Sequence, residues 1–251
     1  MSGTVRVERD GRVGWVVIDN PERRNALSGE MFRMLAAGVA ELDADDEVRV
    51  LVLRGAGTRA FASGADIGDL GTVGPAAASA SAPLVSAVKP IVAMIHGACI
   101  GGGLLVALGA DIRVAAEDAR FGIPAVRLGV AYPYDGVRLV VAAAGPSAAG
   151  EILLTGSTFG ADDALRWGLV SRVVPPGELE AVVTTMAGAI AAGAPLSVHA
   201  AKTSITAARR GSPPDDVAEA EAAGRACWGS EDFAEGRAAF AEKRPPEFRG
   251  R

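Results

Sequence analysis

The feature that most constrains the fold is an alternation of short apolar segments with longer helical ones. Residues 48–53, 91–95 and 112–115 are short apolar runs with β-branched side chains, which is typical of buried strands. Apolar residues at helical spacing lie between these runs, as in the segment that begins at Leu104. Strands that alternate with helices at this period predict parallel strands joined by helical crossovers. The sequence therefore predicts an α/β fold.

The amino-terminal segment predicts a hairpin followed by a helix. Residues 5–8 and 15–18 are strand-like and flank an Asp10-Gly11 turn. Ser28 is a predicted N-cap for a helix that ends near residues 43–46.

The carboxy-terminal part has helical patterns alone. These patterns cover residues 178–192, 196–210, 215–228 and 231–243. We therefore predict a core domain over residues 1–194 and a helical module over residues 195–251. Amphipathic helices in this module are expected to pack on a neighbouring subunit.

Composition excludes several classes of function. The net charge is −5 and the pI is about 5.2, so we expect no nucleic-acid partner. Cys99 and Cys227 are the only cysteines, which favours a reducing cytoplasm over a disulfide framework or a metal site. The first residues have no signal-peptide pattern, and glycines interrupt the apolar stretch at 91–110. We therefore expect a cytoplasmic protein with no membrane span.

Four motifs together carry a family resemblance. They are Asn-Pro-Glu-Arg-Arg-Asn-Ala-Leu-Ser at 20–28, Phe-Ala-Ser-Gly-Ala-Asp-Ile at 61–67, His-Gly-Ala-Cys-Ile-Gly-Gly-Gly at 96–103 and Phe-Ala-Glu-Lys-Arg-Pro-Pro at 240–246. Their order and spacing resemble the crotonase (enoyl-CoA hydratase/isomerase) superfamily over nearly the whole chain. The resemblance implies a spiral of β-β-α units, a carboxy-terminal helical trimerisation module and an acyl-CoA substrate.

The resemblance assigns an oxyanion hole to the backbone N–H groups of Ala65 and Gly102. Reactions of acyl-CoA thioesters pass through an enolate or a similar oxyanion, which two such donors would stabilise. The alternative is that the triplet Gly101-Gly102-Gly103 only permits tight packing of a buried turn. A nucleotide-binding loop fits poorly because the lysine and hydroxyl of a P-loop are missing.

The resemblance also implies where coenzyme A binds as part of the substrate, without a permanent cofactor or metal. Its binding residues would be Arg23, Arg24, Ala62, Ser63, Asp66, Ile67, Phe240 and Lys243. The alternatives are solvated charges for the arginines and Lys243, and a local bracing role for Asp66.

The two glutamates of an ordinary hydratase are missing. Their positions in this sequence are Leu105 and Ala125, neither of which can move a proton. Tyr132, Tyr134 and Asp135 are the candidate replacements, because the resemblance places their segment beside the acyl group. Alternatively, the tyrosines line the acyl pocket and Asp135 caps a helix that begins at Gly136.

Two functions remain open from the sequence. The first is an enzyme that stabilises an enolate of an acyl-CoA with non-standard acid and base groups. The second is a catalytically inactive acyl-CoA binding protein. Self-association as a homotrimer or hexamer is expected in both. His96 is either a base or part of a packed turn, and a serine hydrolase is disfavoured because no G-x-S-x-G motif is present.

Overall fold

The computed structural model describes residues 3–66 and 83–251, and we number the elements within these residues. The strands are β1 (Thr4–Asp10), β2 (Val13–Asp19), β3 (Val50–Gly55), β4 (Ala60–Ala62), β5 (Ile91–Ile95), β6 (Ala98–Ile100), β7 (Ile112–Ala116), β8 (Arg120–Gly122), β9 (Thr158–Gly160) and β10 (Arg172–Val174). The α-helices are α1 (Gly29–Ala44), α2 (Gly102–Gly109), α3 (Ala125–Leu128), α4 (Tyr134–Thr155), α5 (Ala161–Arg166), α6 (Leu179–Ala192), α7 (Pro195–Arg209), α8 (Pro214–Trp228) and α9 (Glu231–Glu242).

The strands form two sheets that the chain visits in turn. The larger sheet has the order β1-β2-β3-β5-β7-β10, and all its pairs are parallel except the β1–β2 hairpin. The smaller sheet has the order β4-β6-β8-β9. The repeating unit is a strand of the larger sheet, a short strand of the smaller sheet and a helix, as in β5-β6-α2 and β7-β8-α3. This arrangement confirms the predicted α/β spiral of β-β-α units.

Alternate residues of the larger sheet face different layers. Val50 and Val52 of β3 pack with Val183 and Ala187 of α6, whereas Leu51 points into the main core. Both layers are apolar because successive side chains of a strand point to opposite faces.

Helix α1 begins where the sequence predicts. The hydroxyl of Ser28 accepts a hydrogen bond from the backbone N–H of Met31 at 3.2 Å, as an N-cap does. The side chains of Leu35, Val39 and Leu42 are buried, which confirms the face predicted from their spacing.

Helix α4 is long and apolar enough, by length and composition alone, to cross a membrane. Gly145 has φ 74° and ψ 166°, and with Pro146 it divides the helix into two shorter pieces. Each piece is shorter than the roughly 20 residues that a span requires. Residues 176–209 qualify only as one span broken by a bend of 111°. The expectation of no membrane span therefore stays a prediction.

The carboxy-terminal helices α7 to α9 occupy the predicted segments within one or two residues. Lys202 of α7 anchors this part to the core through an ion pair with Asp111 at 3.0 Å and a hydrogen bond to the carbonyl of Lys89. The division into two domains at residue 195 stays a prediction.

Candidate functional site

The Ser63-to-Asp66 segment is oriented by Leu27. The N–H of Leu27 donates to the carbonyl of Gly64 at 2.8 Å, and the carbonyl of Leu27 accepts from the N–H of Asp66 at 2.9 Å. The intervening residue, Ala65, forms a parallel bridge with Leu27. Since successive N–H groups of an extended segment alternate in direction, the N–H of Ala65 points away from Leu27.

Each glycine of the triplet has its own structural reason. Gly101 has φ 52° and ψ −113°, a conformation that favours glycine. Gly102 is the first residue of α2, where the backbone N–H has no partner within the helix. A Cβ atom at Gly103 would lie 2.3 Å from the carbonyl oxygen of Ala62. The triplet therefore lets α2 begin in direct contact with β4.

The structure brings the two predicted backbone donors together. A Cβ atom at Gly102 would lie 3.5 Å from the nitrogen of Ala65, and one at Gly64 would lie 4.0 Å from the nitrogen of Gly102. Within residues 3–66 and 83–251, neither the Ala65 N–H nor the Gly102 N–H donates a hydrogen bond. Both donors are thus available to a ligand.

Some of the predicted coenzyme A residues lie beside this site. The N–H of Ser63 donates to the carbonyl of Arg24 at 3.0 Å, so the loop with the two arginines packs on the segment that follows Ala62. The guanidinium of Arg23 lies 2.6 Å from the carboxylate of Asp66, which braces the loop through a side-chain ion pair.

Other predicted coenzyme A residues are not brought to this loop. Ile67 lies outside the described residues. Phe240 is 88% exposed and lines a groove with Trp228 and Phe248, while Lys243 ends α9.

The positions of the missing glutamates hold apolar side chains, and we call these two residues the apolar wall. Leu105 is 2% exposed and lies one turn after Gly102 on α2. Ala125 is the first residue of α3 and packs against the main core. Neither side chain has a group that can exchange a proton with a ligand.

The three candidate replacements have different environments. Tyr132 packs near Leu105, and its hydroxyl donates to the carbonyl of Gly101 at 3.1 Å. Burial raises the pKa of the Tyr132 phenol far above its ordinary value, because the phenolate would lose its hydration. Tyr134 is 77% exposed, and Asp135 forms an exposed ion pair with Arg138 at 3.6 Å. Of these three candidates, only Tyr132 contacts the peptide that joins Gly101 to Gly102.

The start of α4 corrects one alternative prediction. The helix begins at Tyr134 with Pro133 at the N-cap position. Asp135 is therefore in the first turn and does not cap a helix that begins at Gly136. Its carboxylate is still favourably placed at the amino-terminal end of the helix dipole.

His96 belongs to a packed turn. Its side chain is buried, its Nε2 lies 3.2 Å from the carbonyl of Gly55 and its Nδ1 has no partner within the described residues. Burial lowers the pKa of His96, with a smaller lowering by Arg54. Ser63 donates its hydroxyl to the carbonyl of Arg23 at 3.2 Å, so it is not paired with a histidine.

The sequence analysis gave no role to Asn25, whose side chain stabilises the backbone next to the site. Its buried amide donates to the carbonyls of Ala56 and Ala60 at 3.0 and 2.7 Å, and its oxygen accepts from the N–H of Asn20. It also has a left-handed backbone with φ 55°. An asparagine in a loop between apolar segments is the signal that could have indicated this role.

A spiral of β-β-α units with two converging backbone donors defines a crotonase-fold protein. The family model described as enoyl-CoA hydratase/isomerase matches residues 8–251. The short-chain-enoyl-CoA hydratase of Clostridium acetobutylicum is 34% identical over 255 residues, covering 97% of this chain and 96% of that protein. The (E)-benzylidenesuccinyl-CoA hydratase of Thauera aromatica is 33% identical, covering 98% of this chain and 99% of that protein.

Solved structures of the same family are also similar to this chain. A crystal structure of an enoyl-CoA hydratase/isomerase family protein from Hyphomonas neptunium has a TM-score of 0.92 and 37% identity, with 98% of each chain covered. An enoyl-CoA hydratase from Bacillus anthracis has a TM-score of 0.93 and 26% identity, covering 99% of this chain and all of the other. This chain therefore belongs to the enoyl-CoA hydratase/isomerase family, which confirms the resemblance found in the motifs.

Proposed function

We propose that this protein binds an acyl-CoA thioester and polarises its carbonyl through the N–H groups of Ala65 and Gly102. The observation that carries the proposal is the approach of these two unpaired donors at the start of α2. Two donors at one oxygen would stabilise an enolate or a related oxyanion. The apolar wall at Leu105 would strengthen this interaction, because electrostatic effects grow as water is excluded.

Coenzyme A is proposed to enter as part of this substrate and to lie across the loop at residues 62–66. The contact between Ser63 and Arg24 supports this position, since it places the exposed side chain of Arg24 at the edge of the loop. Arg23 is already paired with Asp66, so Arg24 is the arginine better placed for a phosphate.

We propose that ordinary enoyl-CoA hydration is slow in this protein. Hydration needs one group to accept a proton from water and another to deliver one to carbon, and the apolar Leu105 and Ala125 supply neither. Asp135 is the one carboxylate among the three candidate replacements, and it remains the acid or base candidate. The relatives named as hydratases favour hydration as the family reaction to be tested first.

A second candidate function is binding of acyl-CoA without turnover. It is favoured by the exposure of Asp135, whose carboxylate pairs with Arg138, and by the apolar side chains at Leu105 and Ala125. A turnover screen across acyl-CoA classes separates the two functions. Turnover that falls in Asp135→Asn supports the enzyme, whereas tight binding with no turnover supports the binding protein.

The test of the site removes one donor while keeping the backbone shape. Gly102→Pro deletes the N–H at the first helical position, where proline is well tolerated. Gly102→Ala keeps the N–H and places the same Cβ atom 2.9 Å from Cζ of Phe32, so it controls for the steric overlap that the proline also introduces. Calorimetry with butyryl-CoA should give a dissociation constant below about 1 mM for the parent and the alanine variant. The proline variant should bind about tenfold more weakly. No binding by the parent would refute the site.

Self-association as a homotrimer or hexamer is also proposed, through the helical module. Its support is the exposure of large apolar side chains on the single chain: Trp228 is 73% exposed, and Phe240 is more exposed still. Exposed apolar surface of this kind marks an interaction site in many proteins.

A further inference from the structure

The hydroxyl of Tyr132 reaches the peptide that carries one proposed donor. It lies 3.1 Å from the carbonyl oxygen of Gly101, and the same oxygen accepts the N–H of Leu105 at 3.0 Å. The phenol must be the donor, because a carbonyl oxygen has no hydrogen to give. The carbonyl of Gly101 and the N–H of Gly102 belong to one peptide unit. A hydrogen bond accepted by the carbonyl therefore affects the N–H.

The geometry of this peptide fixes the direction of the Gly102 N–H. In a trans peptide, the carbonyl and the N–H point in opposite directions. Gly101, with φ 52° and ψ −113°, has no Cβ to limit rotation of the peptide that follows it. The two accepted hydrogen bonds hold the carbonyl on the side of Tyr132 and Leu105. The N–H of Gly102 is therefore directed to the other side.

We infer that Tyr132 is a positioning residue, which holds and polarises the Gly101–Gly102 peptide so that the Gly102 N–H is a stronger donor to a thioester oxygen. The inference rests on the proposed function. A hydrogen bond accepted by an amide carbonyl strengthens the donor at the other end of the amide, by about 10–30% per bond. The phenol proton is engaged in this bond, so Tyr132 acts through Gly102 and does not transfer a proton itself.

Gly136 gives Tyr132 the space to reach Gly101. A Cβ atom at Gly136 would lie 2.6 Å from Cε1 of Tyr132 and 3.1 Å from Cδ1 of Leu105. Any side chain at position 136 must therefore move the tyrosine ring. This contact supplies a second way to break the bond to Gly101 while the phenol is kept.

The test measures the donor strength directly and needs no turnover. Butyryl-CoA labelled at the thioester carbonyl is bound to the parent, and its carbonyl stretch is recorded by isotope-edited infrared difference spectroscopy. Stronger hydrogen bonds lower this frequency. Tyr132→Phe should bind with an affinity within about threefold of the parent, because both N–H groups remain. Its shift in frequency should be smaller by about 10–30%. Tyr134→Phe removes an exposed phenol two residues away and should match the parent.

The outcomes separate the inference from the proposed function. A parent that does not bind butyryl-CoA overturns the proposed function. If the parent binds and Tyr132→Phe shows the same shift in carbonyl frequency, only the role of Tyr132 is overturned. Complete loss of binding in Tyr132→Phe overturns that role as well. If Tyr132→Phe does not fold, Gly136→Ala tests the inference instead. Displacement of the Tyr132 ring should reduce the shift in carbonyl frequency by a similar amount, and an unchanged shift would overturn the role of Tyr132.

Discussion

At the scale of single residues, the proposed limit on the chemistry of this site rests on Leu105 and Ala125. Both side chains are apolar, and Leu105, one turn after Gly102 on α2, is almost fully buried. A carboxylate at position 105 would be desolvated, and one at position 125 would be partly desolvated. Desolvation raises the pKa of a catalytic carboxyl toward neutral pH. The backbone donors at Ala65 and Gly102 do not depend on either side chain. In the proposed function, binding of a thioester and transfer of protons are therefore separable.

Restoring both carboxylates should increase hydration of crotonyl-CoA. The parent should be far slower than an ordinary hydratase, because each positioned acid or base contributes about a hundredfold to ten-thousandfold. The double variant Leu105→Glu with Ala125→Glu should exceed the parent in a crotonyl-CoA hydration assay. It should also be less stable, since the carboxylate at position 105 is buried and the one at position 125 is partly buried. The matched control is Leu105→Gln with Ala125→Gln, which should show no gain. A parent turnover of about 100 per second or more would contradict this prediction.

His96 should make the protein less stable in mild acid. Burial lowers the pKa of the folded imidazole, so the unfolded chain binds the proton more readily. The stability that neutral His96 contributes is fully present above the unfolded pKa of about 6.5 and is lost as the pH falls toward the lower folded pKa. Urea unfolding at a series of pH values should show a steeper loss for the parent than for His96→Gln. Equal slopes would show that His96 is not responsible.

At the scale of elements, the first turn of α2 and strand β4 form the base of the site. The absent side chain of Gly103 lets the helix rest on the backbone of Ala62, and Leu27 aligns the segment that follows β4. Because both donors are backbone groups, their separation is set by how α2 packs on β4. Small shifts between these elements should therefore affect binding.

Gly103→Ala should disturb this packing. The new Cβ would lie 2.3 Å from a backbone oxygen, which cannot move aside as a flexible side chain can. We expect a loss of about 1–3 kcal/mol in the free energy of unfolding, as for other overpacked sites, together with weaker binding of butyryl-CoA. Denaturant unfolding and calorimetry measure the two effects.

The matched control is Gly188→Ala in α6, where a Cβ would meet nothing within 4 Å. Alanine is favoured over glycine in a helix, so this variant should be as stable as the parent or slightly more stable. Equal stability of Gly103→Ala and the parent would show that the contact between α2 and β4 can accommodate a methyl group.

At the scale of the whole molecule, the helical module is tied to the core by polar contacts. Lys202 is 7% exposed and pairs with Asp111, while Arg49 donates to the carbonyl of Phe248 at 2.7 Å. Loss of one partner from a buried pair leaves an uncompensated charge, which is costly. The core is therefore expected to depend on the module even within one chain.

Deletion of residues 195–251 should give an aggregated protein, or at best a soluble monomer. The deletion exposes apolar surface of the core and removes the partner of Asp111. Size-exclusion chromatography with light scattering measures the mass. Full-length Lys202→Ala is the control, since it breaks the ion pair but keeps the helices, and it should retain the mass of the parent assembly. A truncated chain with the full oligomeric mass would contradict the assembly role proposed for the module.

The sequence by itself determined the class of fold, the family and several element boundaries. Strand β5 occupies its predicted residues, Ser28 caps α1 as predicted, and the motifs at 61–67 and 96–103 predicted two backbone donors that the structure brings close together. These features follow from local periodicity, capping chemistry and motif order, which are properties of neighbouring residues. The tertiary structure alone decided that Tyr132 reaches Gly101, 31 residues away in sequence, and that Asp135 faces solvent. Such contacts depend on how distant segments pack against one another, and no local pattern specifies that packing.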